Sequence, residues 1–192
     1  MVDCFTPPEW LGPHIQKSPE SFLHPDDKIK FVIELSRLNV VHRTGGPFGA
    51  AVFESESGRL VAAGVNLVVP AACSIAHAEI LALMGAHKAV HSYDLGCDGM
   101  PAHELVSSSQ PCAMCFGAVV WSGVKRLVYG ASAEDVQSIT RFDEGPLHPE
   151  WKKELAQRRI TVEQRGQTEA SEILSLYVDS GGLIYNGRRQ TR

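Results

Sequence analysis

The sequence contains no hydrophobic run long enough to cross a bilayer, because a charge, a glycine or a proline interrupts each apolar stretch after a few residues. Its first ten residues include Asp3, two prolines and Glu9 in place of the apolar core of a secretory signal. These absences predict an intracellular, cytoplasmic protein with no membrane partner.

An excess of positive charge is also missing. The 18 Lys and Arg residues are outnumbered by 22 Asp and Glu residues, which leaves a formal net charge of −4. Proteins that bind nucleic acid usually carry a basic stripe or patch, because their affinity comes largely from phosphate contacts. The charge balance therefore argues against a nucleic-acid partner and favours a small-molecule substrate.

Cysteine is scarce and its count is odd, with five residues at irregular spacing. This pattern does not predict a disulfide framework. Cys4, Cys73 and Cys97 are interpreted as free thiols. Cys112 and Cys115 differ from the others because together they form a C-x-x-C pair.

Hydrophobic residues make up 44% of the chain, and helical and extended patterns alternate along it. We predict one domain over residues 1–192, with a lead over 1–24 and a tail over 180–192. Helices are expected over 24–42, 76–90, 112–121, 149–157 and 169–177, and strands over 49–54, 59–69, 104–109, 126–130 and 160–163. This order predicts an α/β fold, a three-layer α/β/α sandwich around a mixed five-stranded sheet.

Two short motifs carry the chemistry, and they differ in specificity. H-x-E is expected roughly 0.6 times from composition alone, and the sequence contains it twice, at 77–79 and 148–150. P-C-x-x-C is expected only about 0.007 times, yet it occurs at 111–115. The cysteine motif is therefore the strong signal.

The predicted positions of these motifs favour a metal site. Cys112 and Cys115 open a helix at a spacing that puts both sulfurs on one face of its first turn. His77 begins another helix, so two helix N-termini can meet at one edge of the sheet. One imidazole and two thiolates suit a Zn²⁺ ion and leave a fourth position open, so one zinc per chain is predicted.

Glu79 lies two residues after His77, close enough to reach a water near the metal without being a ligand. A carboxylate that accepts and returns a proton contributes about 10² to 10⁴ in rate. The motif pair matches the signature of zinc base deaminases, in which water replaces an amino group on a ring carbon. Glu79 is thus the predicted catalytic proton carrier.

Other interpretations of the C-x-x-C pair remain open. A structural zinc site needs a fourth ligand, for which Cys73, Cys97 and His103 are the candidates, although none has paired spacing. A redox pair does not explain the H-x-E motif. A non-catalytic, zinc-stabilised interaction module is the non-enzymatic alternative.

The two motifs resemble those of the cytidine deaminase superfamily, and the predicted elements from about 25 to 140 follow the order of that fold. Within it, the chain is most similar to the bacterial guanine deaminase branch. This closer resemblance rests on Gly-Pro-Phe-Gly-Ala at 46–50, Asn66 and Phe-Asp-Glu at 142–144. It implies a homodimer that hydrolyses the free purine guanine to xanthine and ammonia.

The resemblance also implies roles for the substrate pocket. Phe48 would pack against the base, Asn66 would hydrogen-bond the edge of the base, and Ala78 would offer its backbone to the base. Either Asp143 or Glu144 would hydrogen-bond to the far side of the purine or shuttle protons there. Glu144 is preferred as the second catalytic acid. The tail would contribute Tyr185 as a cover over the site.

Two positions depart from the family pattern. Gln110 stands where an acid is common, and Cys-Ser-Ile at 73–75 replaces the usual Asp-Pro. Neither change removes a metal ligand, but both leave substrate choice open. The alternatives are another amino-substituted base, a nucleoside, an aminotriazine or, as a nucleic-acid substrate, the adenosine of a tRNA.

Overall fold

The computed structural model describes residues 5–186; the predictions for Cys4 and for the tail beyond Asn186 lie outside the described residues. Seven helices and five strands are found in this part of the chain. In chain order they are α1 (Leu11–Lys17), α2 (Pro25–Val41), β1 (Gly49–Glu54), β2 (Leu60–Val65), α3 (Ala78–Ala89), β3 (His103–Ser109), α4 (Ala113–Ser122), β4 (Arg126–Ala131), α5 (Ala133–Thr140), α6 (Trp151–Gln157), β5 (Thr161–Gln164) and α7 (Gln167–Asp179).

The five strands form one mixed sheet in the order β2-β1-β3-β4-β5. β1 pairs with β2 and with β3 in antiparallel orientation, whereas β3, β4 and β5 run parallel. The change from antiparallel to parallel pairing falls at β3, in the middle of the sheet. Because β3 is central, both of its edges and both of its faces are covered, and all seven of its residues are buried.

Each face of the sheet supports its own hydrophobic core, as alternate residues of a strand point to opposite sides. In β1, Ala51 and Phe53 pack on the side of α2, α5 and α7, while Ala50 and Val52 pack on the side of α3, α4 and α6. The predicted three-layer α/β/α sandwich with a mixed five-stranded sheet is confirmed.

The element boundaries differ from the sequence-based prediction at three places. Helices α1 and α5 were not predicted, although the Ser132 and Asp135 side chains form a capping box at the start of α5. β2 ends at Val65 instead of continuing to residue 69. Beyond it the chain enters a turn-rich segment, in which the Ala71 amide donates to the Leu67 carbonyl.

This topology places the ends of several elements at one edge of the sheet. β3 ends at Ser109, directly before the helix that carries the cysteine pair, and α3 begins beside it on the same face. In open α/β sheets, ligands bind outside the carboxyl ends of the strands, where the strand order changes direction. Within residues 5–186, no helix is long and apolar enough to span a membrane.

Candidate active site

The three predicted metal ligands lie together. The Sγ atoms of Cys112 and Cys115 are each 3.6 Å from His77 Nδ1, and all three ligand atoms lie within 4.8 Å of one another. In the described part of the chain, this is the only group of three or more His, Cys, Asp or Glu side chains arranged closely enough to hold a metal ion.

Helix starts bring these side chains together. His77 is the N-cap of α3 and Cys112 the N-cap of α4, both with extended backbone, while Cys115 is fully buried in the first turn of α4. The free N–H groups and the dipole at a helix N-terminus favour negative charge, which suits thiolates. The position of both cysteines at a helix N-terminus therefore favours the thiolate form of their sulfurs, which binds cations.

Hydrogen bonds within the cluster favour a thiolate at Cys112. A hydrogen bond from Cys115 lowers the pKa of Cys112 to about 4. Because Cys115 donates that bond and is buried, its own pKa is raised. Burial acts to lower the pKa of His77, but the hydrogen bond with Cys112 and the charge of Glu79 outweigh it, and this pKa is raised. A divalent cation would take the place of these shared protons.

The donor set fits zinc. Two soft thiolates and an imidazole are ligands of Zn²⁺ in proteins, and three protein ligands are typical of a catalytic site, whereas a structural site uses four. Of the proposed fourth ligands, His103 lies at the start of β3 and its Nδ1 is paired with the Leu95 carbonyl oxygen at 2.7 Å. Cys73 and Cys97 are free thiols outside the cluster.

Glu79 lies in the first turn of α3, two residues from His77, and is only 6% exposed. Burial is the main cause that raises the pKa of this carboxyl group, and the charge of Cys112 adds to it. Among residues 5–186, no Lys or Arg forms an ion pair with Glu79. A buried carboxyl group without a cationic partner is poised to hold a proton and release it.

The two candidate acids of the late loop differ in their surroundings. Glu144 is 9% exposed, and its backbone carbonyl accepts a hydrogen bond from the Ala113 amide at 3.0 Å, which ties the loop to the start of α4. Burial and the charge of Cys112 raise the pKa of Glu144 to about 8. Asp143 is exposed, and its Oδ1 accepts a hydrogen bond from the Gly145 amide.

These groups open on a cavity of about 300 Å³. This volume lies at the lower end of the range for small-molecule pockets, and is suited to a single base. Seven of the ten predicted site residues line it: Phe48, His77, Glu79, Cys112, Asp143, Glu144 and Tyr185.

Three predicted site residues do not line the cavity. Cys115 is fully buried in the first turn of α4. Ala78 is the first residue of α3, and its methyl group is packed in the core on that side of the sheet. Asn66 is 1% exposed, and its Oδ1 accepts a hydrogen bond at 2.7 Å from the hydroxyl of Tyr185, which does line the cavity.

The apolar wall of the cavity is aromatic. The rings of Phe48 and Phe142 are 5.6 Å apart, and those of Phe142 and Tyr185 are 4.8 Å apart, both tilted. Tyr185 belongs to the tail, which is held here by Asn186: its Oδ1 accepts from the Asp143 amide and its Nδ2 donates to the Arg141 carbonyl. The part of the tail up to Asn186 therefore packs against the late loop.

Sequence reasoning assigned no role to six further lining residues. Ser109 is the last residue of β3 and Gln110 follows it, and a polar run before the cysteine motif was the available signal there. Phe142 belongs to the Phe-Asp-Glu stretch on which the family resemblance rests, and the others lie in irregular segments whose course no local pattern predicts. The six residues are Val68, Ser74, Ser109, Gln110, Phe142 and Asn186.

Residues 28–131 match the model of the cytidine and deoxycytidylate deaminase zinc-binding region. The chain belongs to this deaminase family. The matched range contains the His77, Cys112 and Cys115 group together with Glu79. Glu144 and Tyr185 lie outside it.

The relatives of this deaminase include guanine deaminases. The guanine deaminase of Bacillus subtilis (strain 168) is 33% identical over 141 residues, which cover 73% of this chain and 85% of that protein. The solved guanine deaminase from Nitrosomonas europaea is 47% identical, with a TM-score of 0.83 over 88% of this chain and 92% of that one. A mutant of NE0047 in complex with 8-azaguanine is 46% identical, with a TM-score of 0.86 over 92% and 98%.

Proposed function

We propose that this zinc-dependent aminohydrolase converts guanine and water to xanthine and ammonia. The observation that carries the proposal is the meeting of the His77, Cys112 and Cys115 cluster with Glu79 at one cavity of about 300 Å³. The family and the guanine deaminases among its relatives support this choice of substrate.

The proposed mechanism uses His77, Cys112 and Cys115 to hold one zinc ion. When bound, zinc supplies a water that is far more acidic than bulk water, whose pKa is about 15.7. Glu79 would carry two protons in turn: one from the attacking water to the ring nitrogen beside the reacting carbon, and a second from the newly attached hydroxyl group to the departing amino group. The C–O bond forms, the C–N bond breaks and ammonia leaves.

Glu79 is suited to this cycle because it must exist in both protonation states. Its raised pKa stabilises the protonated form that the second half of the reaction needs. Glu144 is proposed as the second acid, since it is buried beside the same cavity and its pKa is raised to about 8. Exposed Asp143 is proposed to contact the outer edge of the base.

The remaining pocket residues are proposed to hold the purine. Phe48 and Tyr185 provide flat apolar surface against the ring. Asn66 is proposed to hydrogen-bond the base edge and Ala78 to offer its backbone amide, which lies in the unpaired first turn of α3. A dry pocket with a few oriented polar groups is what a planar base with several N–H and C=O groups requires.

A homodimer is also proposed, and α4 supports it. Only three of its ten residues are buried, although its sequence is predominantly apolar. Phe116 and Val120 are half-buried, and Trp121 is 85% exposed. A second copy of the chain is the proposed partner for this face. A cytoplasmic location is proposed as well.

The oligomeric state can be tested by light scattering, which should give the mass of two chains. Trp121→Glu should shift the measured mass toward that of one chain.

Ammonia release from the zinc-loaded protein is the direct test of the proposed reaction. Guanine, guanosine, adenine, cytosine and aminotriazines should be compared side by side, and guanine should give the largest kcat/KM. Glu79→Gln serves as the matched control, since it keeps the shape of the side chain. Release from a different base would contradict the substrate, and equal release by Glu79→Gln would contradict the mechanism.

A further inference from the structure

Asn66 is held by its backbone from two directions. Its amide donates to the Phe48 carbonyl at 3.0 Å, which joins it to the cavity wall. Its carbonyl accepts from Asn39 Nδ2 at 2.9 Å, and the same nitrogen donates to the Gly46 carbonyl at 2.8 Å. Asn39 is fully buried, so the position of the Asn66 backbone is set inside the protein.

The side chain of Asn66 is held just as closely, but at only one of its two polar atoms. Oδ1 accepts from the Tyr185 hydroxyl at 2.7 Å and from the Val68 amide at 3.3 Å. A carbonyl oxygen has two lone pairs, so these two donors use its full capacity. Among residues 5–186, no acceptor is hydrogen-bonded to Asn66 Nδ2, whose two N–H groups are the remaining polar function of the amide.

We propose that Tyr185 is a positioning residue whose hydroxyl fixes the Asn66 amide in one orientation, so that Asn66 can offer a ligand only N–H donors. The pocket would then select bases that present a hydrogen-bond acceptor to Asn66 and reject bases that present a donor there. The inference rests on the proposed function, because it assumes that Asn66 contacts the base.

The packing around the hydroxyl supports a fixed orientation. A methyl group on Gly46 would lie 2.6 Å from Tyr185 Oη and 3.0 Å from Asn66 Oδ1, so only glycine permits this approach. The ring of Tyr185 packs against Phe142 at 4.8 Å. Burial raises the pKa of Tyr185, which keeps the hydroxyl protonated and able to donate.

Tyr185→Phe tests the proposal because it removes the donor and leaves the ring in the cavity wall. Tyr177→Phe is the matched control: the Tyr177 hydroxyl donates to the Leu183 carbonyl at 2.7 Å and so anchors the same tail without touching Asn66. Both changes are made in zinc-loaded protein that carries Glu79→Gln to prevent turnover, and 8-azaguanine binding is measured by calorimetry.

We expect Tyr185→Phe to weaken 8-azaguanine binding about tenfold, the effect of one well-placed hydrogen bond. In an Asn66→Ala background the same change should weaken binding less than twofold, since there is no amide left to orient. Asn66→Asp, which accepts but cannot donate, should bind at least as poorly as Asn66→Ala. An equal tenfold loss in the Asn66→Ala background, or the same loss from Tyr177→Phe, would overturn the proposal.

A second readout is independent of any ligand. The side-chain ¹⁵N amide signals of Asn66, assigned by their disappearance in Asn66→Ala, should shift and exchange faster with solvent in Tyr185→Phe but not in Tyr177→Phe. Unchanged signals in Tyr185→Phe would contradict the fixed orientation. If the wild-type protein shows the expected amide signals but neither binds 8-azaguanine nor deaminates guanine, the proposed substrate would be wrong and the fixed orientation of Asn66 would stand.

Discussion

Two buried glutamates at different places in the sheet show how surroundings decide what a carboxyl group does. Glu104, near the start of β3, is 1% exposed, and Glu79, at the start of α3, is 6% exposed. The buried ammonium group of Lys28 forms an ion pair with Glu104 Oε1, and Arg126 Nη1 lies 3.4 Å from Oε2. Glu79 lies instead beside two thiols and has no Lys or Arg partner among the described residues.

The pairing of Glu104 extends outward through a chain of charges. Arg126 also forms an ion pair with Glu163, Glu163 pairs in turn with Arg165, and Arg165 Nη1 lies 2.6 Å from Asp26 Oδ1. These contacts join α2, β4 and the end of β5. A buried carboxylate with cationic partners stays charged and serves the fold, whereas one without them has its pKa raised and can serve proton transfer.

Loss of a metal ligand would remove the zinc site that gives Glu79 its proposed catalytic function. Cys112→Ala leaves one thiol and one imidazole, too few to hold zinc in a catalytic site. We expect the purified variant to contain no stoichiometric zinc by elemental analysis and to release no ammonia from guanine. Stoichiometric zinc in this variant would show that the ion is held elsewhere.

Exchange of each glutamate for glutamine tests the comparison directly. Glu79→Gln should lower kcat by about 10² to 10⁴-fold, since a proton carrier is lost, while zinc content is retained. Glu104→Gln should leave kcat within a small factor of wild type, because Glu104 is distant from the metal cluster. Similar losses of kcat in both variants would contradict the division of roles.

The stability side of the comparison is tested at Lys28. Lys28→Met removes one partner of a buried ion pair and leaves Glu104 less compensated, which costs about 3–5 kcal/mol of unfolding free energy. Urea unfolding followed by circular dichroism measures this loss. The double variant Lys28→Met with Glu104→Leu should recover much of it, and no recovery would show that the loss has another origin.

The smallest expected effect concerns Glu144 and pH. Its pKa is raised from 4.5 to about 8, mainly by burial, so the folded state favours the protonated form. Above pH 4.5 the unfolded chain releases this proton while the folded chain keeps it up to about pH 8. The contribution of Glu144 to stability therefore falls as pH rises through this window.

Comparison with Glu144→Gln isolates that contribution, because glutamine does not titrate. In protein freed of metal, Glu144→Gln should gain stability relative to wild type between pH 4.5 and pH 8, with little further change above. Urea midpoints at pH 5, 6.5 and 8 measure the difference. A difference that does not vary with pH would show that Glu144 titrates normally.

The fold was predictable from the sequence because most of its elements are locally encoded. The short apolar run of β1, the glycine-marked turn after it and the apolar face of α2 each involve residues close in the chain. Helices of seven or eight residues hold few repeats of a helical pattern, and of the three that short, α6 was predicted whereas α1 and α5 were missed. For α5, the Ser132 capping box was nevertheless a usable signal.

The choice between Asp143 and Glu144 illustrates what depended on three-dimensional packing. Both acids lie in an irregular loop, where no periodicity indicates which side chain points inward. The hydrogen bond from the Ala113 amide to the Glu144 carbonyl ties this loop to the start of α4, and there Glu144 is buried and Asp143 exposed, although both line the cavity. That contact spans 31 positions of the chain.

The sequence by itself determined the metal chemistry, because the spacing of Cys112 and Cys115 and of His77 and Glu79 acts within single helix turns, where local geometry is fixed by the hydrogen bonds of the helix. Only the tertiary structure decided which groups share an environment. The Lys28–Glu104 pair and the Tyr185–Asn66 hydrogen bond join residues 76 and 119 positions apart. Such contacts depend on how the layers pack, and packing follows from the whole chain and not from any one segment.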